Sequence, residues 1–446
     1  MEKFMGLGHL FVTIFLYHIA AFMVIPAITD VSMGALCPGT DQCSLAIYLN
    51  GFQQVVTGIG TLVVTPLIGN LSDEYGRKAL LTLPMALTIV PLAILAYGRT
   101  KYYFYAYYVV RTFTDMVCQG SVMCLTLAYV ADKISESQRT SAFGLLSGIS
   151  SAAFVFGTVT ARFLPTHSTF QVAAAIASIA AIYMRSFLSD PNNHSNIEDG
   201  TSCSQSSMKK RLRVLPGSHS LQKKKIFSRI LPVEDVTYLL QTSVTFSQAA
   251  IVAFFNNLGE SGFQASLLFY LKAQFHFNKD QFADLLLIVG VAGAISQLLL
   301  MPLLAPTLGE EKLLRIGLLA CCGHMFLYAL SWSSWVPYAA SSLSIMVCLI
   351  SPCMRSIVSK QVGPDEQGKA QGCISGICSF ANIMSPFAFT PLTALFLSQK
   401  APFYFPGFSI MCAGLVSMIA LLQGIMMRAG PPISSKQVNS SNYVPA

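Results

Sequence analysis

A chain of 446 residues with 53% hydrophobic and only 11% charged residues has too little charge to cover the surface of a water-soluble protein. Its mean hydropathy of +0.58 is typical of an integral membrane protein. The net charge of +8 comes from basic residues in the predicted loops, so it does not indicate nucleic-acid binding.

Twelve apolar runs along the chain are each long enough to cross a bilayer as a helix. Backbone polar groups must be paired within lipid, and the runs lack the alternation of barrel strands, so all twelve are predicted to be α-helices. The predicted spans, numbered 1 to 12, cover residues 7–29, 46–69, 79–98, 103–131, 141–164, 169–188, 248–271, 281–305, 313–332, 334–357, 372–397 and 403–427. The first run is too long for a cleavable signal peptide, so we expect it to be retained.

Basic residues predict the orientation of the spans. If both termini lie in the cytosol, most of the 28 Lys and Arg residues fall in cytosolic loops. The excess persists when the long central loop is left out. We therefore expect both termini in the cytosol, and the membrane to be either the plasma membrane or an internal one.

A long polar segment separates the first six spans from the last six. Residues 189–235 are rich in Ser, Asn and clustered Lys and Arg, a composition typical of a flexible linker. We interpret this basic segment as a determinant of topology rather than as a site for anionic lipid. The sequence thus predicts an N-terminal bundle over 1–188, a cytosolic linker over 189–235, a C-terminal bundle over 236–428 and a disordered cytosolic tail over 429–446.

The two halves share a short repeat. Gly144–Ser151 opens span 5 and Gly372–Ser379 opens span 11, and both read G-x-x-S-G-I-x-S. Such matches also arise from helix packing, but parallel six-helix repeats would place a substrate site between the halves near the middle of the membrane. The predicted fold is an all-α integral membrane protein with twelve transmembrane helices in two pseudo-symmetric six-helix bundles.

The turn between spans 2 and 3 carries the most specific motif. Gly69–Lys78 reads G-x-x-x-D-x-x-G-R-K, and its carboxylate can pair with a nearby guanidinium or with the amino end of a helix. This pattern resembles the signature loop of the major facilitator superfamily, a large group of secondary transporters. The resemblance implies a cytosolic gate, with a simple topogenic turn as the alternative. The gate residues would be Gly69, Asp73, Gly76, Arg77 and Lys78. The equivalent turn after span 8, Gly309–Lys312, looks degenerate.

Shorter segments are similar to the hippocampus-abundant-transcript-like carriers, relatives of the tetracycline/proton antiporters. These segments are Leu49–Gly51, Pro66–Gly69, Ala128–Asp132, Phe269–Leu271 and Asp365–Gly368. The similarity runs through both halves and implies their fold and topology. Span 5 departs from the antiporter pattern, because the stretch from residue 157 to 162 lacks G-P-x-x-G-G. Drug/proton antiport is therefore not implied.

Ionisable and amide side chains inside the spans are the candidates for a transport pathway. Glu260 lies halfway along span 7 and could bind and release a proton; the alternative is a structural hydrogen bond that fixes a helix break at Gly259. Arg111 and Asp115 lie four residues apart on span 4 and can pair, either as a proton-linked switch or as an inert pair. The remaining candidates are Tyr17, His18, Gln53, Gln54, Asn256 and Asn257.

The twelve cysteines do not suggest a metal or redox centre. Most are scattered in the spans, where cysteine behaves as a small apolar residue. Cys37 and Cys43 share a non-cytosolic loop, and a disulfide between them is open to either outcome. The chain has no G-x-x-x-x-G-K-[ST] motif for phosphate, which argues against direct ATP-driven pumping. We expect no cofactor, no metal and no enzymatic activity.

Together these features predict a monomeric secondary transporter that moves a small organic solute by rocker-switch alternating access. Glu260 offers a route for proton coupling. The expected partners are the solute, protons and the lipid bilayer, with no nucleic acid. The alternative function is a non-transporting receptor or scaffold that retains the carrier fold.

Overall fold

The computed structural model describes residues 2–40, 42–133, 136–188, 243–361 and 367–427. Every regular element within these ranges is a helix. The predicted linker and the predicted tail lie outside the described residues.

The N-terminal half, residues 2–188, contains spans 1 to 6. Spans 1, 3 and 4 each consist of two helices that meet at a short break. The bounds are Glu2–Phe22 and Ile25–Leu36 for span 1, Ser44–Tyr75 for span 2, Arg77–Leu87 and Ile89–Tyr97 for span 3, Lys101–Cys118 and Ser121–Lys133 for span 4, Glu136–Phe163 for span 5, and Thr166–Phe187 for span 6.

The C-terminal half, residues 243–427, contains spans 7 to 12. Span 8 includes a π-helical turn, and span 10 consists of three short helices. The bounds are Val244–Phe275 for span 7, Lys279–Ile295, Ser296–Leu300 and Met301–Leu308 for span 8, Glu310–Ala329 for span 9, Val336–Ser342, Ser344–Val347 and Ile350–Lys360 for span 10, Gln367–Phe396 for span 11, and Phe408–Met426 for span 12.

Span 7 has a polar centre. Of the described helices, 11 stretches are both long enough and apolar enough to cross a membrane, and span 7 is not among them. Its 32 residues form a helix about 48 Å long, which is ample for a crossing. Asn256, Asn257 and Glu260 lie near its centre and lower its apolarity. The helix is long enough to span the bilayer, and its polar centre is expected to face the protein interior.

The alternative role of Glu260, a hydrogen bond that fixes a helix break at Gly259, does not apply, because span 7 runs through this residue as a continuous helix. A Cβ added at Gly259 would lie 2.4 Å from Ser417 Oγ and 2.8 Å from the carbonyl oxygen of Ala413. Gly259 therefore allows span 12 to pack directly against the backbone of span 7, and this close approach explains the glycine.

The two halves meet along two equivalent pairs of spans. Span 2 packs against span 11, and span 5 packs against span 8. The buried core of the C-terminal half also extends onto Met33, Ala46 and Ile47 of the N-terminal half. Spans 2 and 5 are thus the counterparts of spans 8 and 11, as expected for two pseudo-symmetric bundles.

The two ends of the molecule differ in the loops that they hold. The turn end holds the tight turns at Gly76, between spans 2 and 3, and at Gly309, between spans 8 and 9. The disulfide end holds the loop between spans 1 and 2, in which Cys37 and Cys43 form a disulfide.

Candidate transport site

A polar cavity of about 570 Å³ lies between the halves, at the middle of the spans that surround it. A volume of this size is typical of sites for small organic molecules. Spans 2 and 4 form one wall, and spans 7, 10 and 11 form the other. The lining residues are Gln54, Gly58, Thr61, Gln119, Asn257, Glu260, Ser261, Gln264, Ser351, Ser379 and Asn382.

Span 7 supplies most of the polarity of the cavity because its polar residues recur at helical spacing. Asn257, Glu260, Ser261 and Gln264 are separated by one, three or four residues and lie on one face. The Asn257 amide donates to Cys378 Sγ of span 11 at 3.1 Å, which fixes its orientation. Glu260 is half-buried and has no hydrogen-bond or ion-pair partner in the described part of the chain.

A second polar group lies inside the N-terminal half. Arg111 Nε donates to Asp115 Oδ2 at 2.9 Å, and Arg111 Nη1 donates to the Tyr107 hydroxyl at 2.7 Å. Gln53 Nε2 also donates to Asp115 Oδ2, at 3.3 Å. The predicted pair of Arg111 and Asp115 is therefore formed, and its two charges cancel within the bundle.

The structure brings only some of the predicted pathway residues together. Gln54, Asn257 and Glu260 line the cavity. Tyr17 and His18 lie in span 1, where the His18 ring stacks on Phe22 with centroids 5.4 Å apart. Asn256 is 4% exposed and points away from the lining, with its Oδ1 unpaired among the described residues.

Sequence reasoning missed several lining residues that share a face with the predicted ones. Gln264 follows Glu260 by one helical turn, and Ser261 follows Asn257 by one turn. Both residues could have been predicted from the sequence, because they continue the polar face of span 7 by one helical turn. Gln119, Ser351 and Asn382 come from other spans, and only the packing of the spans shows that they meet here.

Ion pairs join the two halves at the disulfide end. Lys272 Nζ of span 7 lies 2.6 Å from Asp30 Oδ1 of span 1, and the two side chains are 16% and 23% exposed. Arg162 of span 5 contacts Asp284 at 2.8 Å and Asp280 at 3.4 Å, both at the start of span 8. None of these contacts was predicted from the sequence.

Lys279 adds a buried contact at the same end. Its side chain is 7% exposed, and its ammonium donates to the carbonyl oxygen of Ala161 at 2.8 Å and to that of Leu164. Both carbonyls lie at the carboxyl end of span 5, where a helix attracts cations. Spans 5 and 8 are therefore joined both by a cation of span 5 that pairs with carboxylates of span 8 and by a cation of span 8 that binds carbonyls at the end of span 5.

Spans 2 and 11 pack closely between the disulfide end and the cavity, and they extend the contacts between the two halves. A Cβ added at Gly51 would lie 2.2 Å from Thr390 Oγ1, and one added at Gly58 would lie 2.7 Å from Ile383 Cγ1. Gly58 also lines the cavity. The inter-half contacts thus extend from the disulfide end to the cavity, which lies on their turn-end side.

The turn end contains the predicted gate. Gly76 has φ 91° and ψ 144°, a conformation that favours glycine, and it separates span 2 from span 3. Arg77 Nε donates to Asp132 Oδ2 of span 4 at 2.9 Å, and its Nη1 donates to Ser72. Lys78 lies in the first turn of span 3. Gly69 and Asp73 belong to span 2, and the side chain of Asp73 lies outside the described part of the structure.

The turn after span 8 mirrors this arrangement although its sequence looks degenerate. Gly309 has φ 80° and ψ 152°, close to the values at Gly76. Glu310, the next residue, pairs with Lys360 at the end of span 10 and accepts a 2.8 Å hydrogen bond from Ser356. The two halves therefore share the geometry of this ion pair, with the signs of the charges exchanged.

The family model described as Major Facilitator Superfamily matches residues 10–386, and a second match covers residues 249–440. The chain belongs to this superfamily. Its all-helical fold of two six-helix bundles is the fold of these integral, multi-pass membrane transporters.

Among curated proteins, human hippocampus abundant transcript-like protein 1 is 24% identical over 76% of this chain. That match spans 62% of the relative, so the chain covers less than two thirds of its length. The class E tetracycline resistance protein of Escherichia coli is 22% identical over 74% of each chain. A solved structure of a mutant of the nucleoside transporter NupG has a TM-score of 0.71 and 11% identity, covering 94% of this chain and 99% of that one. At this identity the structural similarity shows the fold alone.

Proposed function

We propose that this chain is a secondary active transporter that moves a small organic solute by rocker-switch alternating access, with Glu260 as the group that couples transport to protons. The observation that carries the proposal is the Glu260 carboxylate, which lies in a polar cavity between the halves and has no partner among the described residues. An uncompensated charge at the middle of a membrane is costly. Glu260 must therefore be neutralised by a proton or by the solute, and competition between the two would couple their movements.

In this proposal the bundles of residues 1–188 and 236–428 move as two bodies about the cavity. The pairs of Asp30 with Lys272 and of Arg162 with Asp284 would close the non-cytosolic side in the state described here. We place the turn end, the linker and both termini in the cytosol, in agreement with the distribution of basic residues. The carrier would act as a monomer.

The motif Gly69–Lys78 would form the cytosolic gate of this carrier. Arg77 is held by Asp132 within its own half, so it is positioned at the turn end without a contact to the other half being needed. When the halves rock, Asp73 would meet the opposite half and steady the cytosol-closed state. Gly69, Gly76 and Lys78 would complete the turn.

The relatives support a small organic solute as the cargo. Their names refer to tetracycline in one case and to nucleosides in another. These solutes carry several hydrogen-bonding groups, and amide and hydroxyl side chains of the kind found in this cavity can bind such groups.

A flux assay tests the proposal. The purified protein is reconstituted in liposomes, and uptake of a panel of radiolabelled solutes is measured with and without an imposed pH gradient. We expect saturable uptake of at least one solute and faster accumulation with the gradient. Glu260→Gln should abolish gradient-driven accumulation while solute exchange persists.

Glu311→Gln is the matched control, because Glu311 lies at the start of span 9 and outside the cavity lining. It should transport like the wild type. Absence of saturable flux across the whole panel would favour a receptor or scaffold. Gradient-driven accumulation that survives in Glu260→Gln would remove Glu260 from the coupling mechanism.

A further inference from the structure

A second cavity, of about 520 Å³, lies beside the polar one and is lined almost entirely by apolar side chains. Leu62 of span 2, Ile251 and Phe254 of span 7, and Ile377 and Phe380 of span 11 form its walls. The rings of Phe254 and Phe380 stack with centroids 6.2 Å apart. Apolar walls of this kind bind hydrocarbon groups by removing them from water.

The two cavities are neighbours because the same three helices line both. On span 2, Leu62 of the apolar cavity follows Thr61 of the polar one. On span 11, Ile377 and Phe380 lie on either side of Ser379 in sequence. The hydrogen bond from Asn257 to Cys378 joins spans 7 and 11 at this boundary. A molecule that occupies the polar cavity can therefore extend into the apolar one within about one helical turn.

The charge of the polar cavity indicates which ligand group can bind there. Glu260 is the single charged residue in the described lining. In the N-terminal half, Arg111 is already paired with Asp115. A cationic head beside Glu260 would neutralise a carboxylate that otherwise has no ion-pair partner among the described residues, and amide oxygens nearby can accept its hydrogen bonds.

We propose that the two cavities form one binding site for an amphipathic organic cation. Its ammonium head lies beside Glu260 and its apolar tail fills the apolar cavity, against the walls that Phe254 and Phe380 form. This proposal deepens the proposed function, since it takes the cavity between the halves as the site of the transported solute.

Binding of a homologous series of amines tests the tail site. Dissociation constants of n-alkylamines from propylamine to octylamine are measured by titration calorimetry on the full chain in lipid nanodiscs, with empty nanodiscs as the blank. Each added methylene is expected to tighten binding by about fourfold until the apolar cavity is full. Glu260→Gln should lose this binding at every length, and n-alkanols of the same lengths should bind weakly.

Gly376 offers a way to block the tail site alone. It lines the apolar cavity, and a Cβ added there would meet no atom within 4 Å. Gly376→Leu should remove the gain in affinity that each added methylene of a longer amine provides. Gly372→Leu is the matched control, because this residue lies one turn earlier on span 11, has the same free space and lines neither cavity.

If Gly376→Leu does not fold, Phe380→Ala provides a second test. Phe380 is 52% exposed, so its loss should be tolerated, and the wider cavity should extend the gain to longer amines. The proposal is overturned if Gly376→Leu and Gly372→Leu show the same dependence on chain length, or if alkanols bind as tightly as amines. Saturable, Glu260-dependent flux of a solute without amine binding would overturn this inference alone and leave the proposed function standing.

Discussion

Under the proposed alternating-access mechanism, the pair of Asp30 and Lys272 is expected to set the balance between the two access states. The pair joins the halves at 2.6 Å in the state described here, with both side chains mostly shielded from water. When the disulfide end opens, the two residues separate, so their interaction stabilises only the closed state. Asp30→Asn keeps the shape of the side chain and removes its charge.

The size of the effect follows from the burial of the pair. A hydrogen bond between charged groups contributes about 1.5–3 kcal/mol, whereas fully exposed pairs contribute about 0.2–1 kcal/mol. With side-chain exposures of 16% and 23%, we take about 1.5 kcal/mol for this pair. The ratio of disulfide-end-closed to disulfide-end-open molecules should therefore fall about tenfold in Asp30→Asn.

The assay is a distance measurement by pulsed electron resonance. Nitroxides are attached to p-acetylphenylalanine introduced at Thr100 and Ser334, which are exposed residues of opposite halves at the disulfide end. This chemistry leaves the native cysteines unlabelled. Asp30→Asn should add a population at longer distance. Asp284→Asn should have a smaller effect, about twofold, because its pair with Arg162 is about 40% exposed on both sides.

The salt dependence of the two variants provides a further check. Salt screens exposed charges more strongly than shielded ones, so high ionic strength should weaken the Arg162 contacts more than the Asp30 contact. The reasoning is refuted if Asp30→Asn keeps the distance distribution of the wild type while its thermal stability is also unchanged. It is equally refuted if Asp284→Asn shifts the distribution more than Asp30→Asn does.

Three further predictions concern packing and backbone conformation. Gly58→Ala should push spans 2 and 11 apart and lengthen the same spin-label distance, and Ile383→Ala should restore it, because the added Cβ would then face only the Ile383 Cβ at 3.8 Å. Ser266→Ala should cost about 1–3 kcal/mol of stability, because the Ser266 hydroxyl lies 2.7 Å and 3.1 Å from two other buried hydroxyls. Ser342→Ala, at an exposed position, should cost almost nothing in the same thermal unfolding assay. Gly309→Ala should lower stability by about 1–3 kcal/mol because φ 80° is unfavourable for a residue with a side chain; an unchanged melting temperature would contradict this.

Only some of the residues that line the polar cavity could be predicted from the sequence. Glu260 and Asn257 could be selected from the sequence because polar residues in an apolar helix are conspicuous and costly. Tyr17 and His18 met the same criterion, but neither lines the cavity, and His18 packs against Phe22. The spacing of polar residues predicts which of them share one face of a helix. Whether that face points towards a cavity depends on how the helix packs against neighbouring helices.

The contacts at the disulfide end could not be predicted from the distribution of charged residues in the sequence. Lys272 and Lys279 entered the sequence analysis only through the distribution of basic residues, which is sufficient to predict orientation. Their contacts join residues as far apart in the sequence as 30 and 272, and no local pattern encodes such a contact. The reversed pair of Glu310 and Lys360 was missed for the same reason, since the turn looked degenerate when residue types alone were compared.

The sequence by itself determined the membrane fold, the number of spans, the two halves and the position of the signature turn. These features depend on local quantities, namely the apolarity of about 20 residues at a time and the conformational freedom of a glycine at a turn. Only the tertiary structure decided which end is closed, which polar residues share a cavity and that an apolar cavity adjoins it. Those features depend on the packing of helices from both halves, and the packing brings together residues that are distant in the chain.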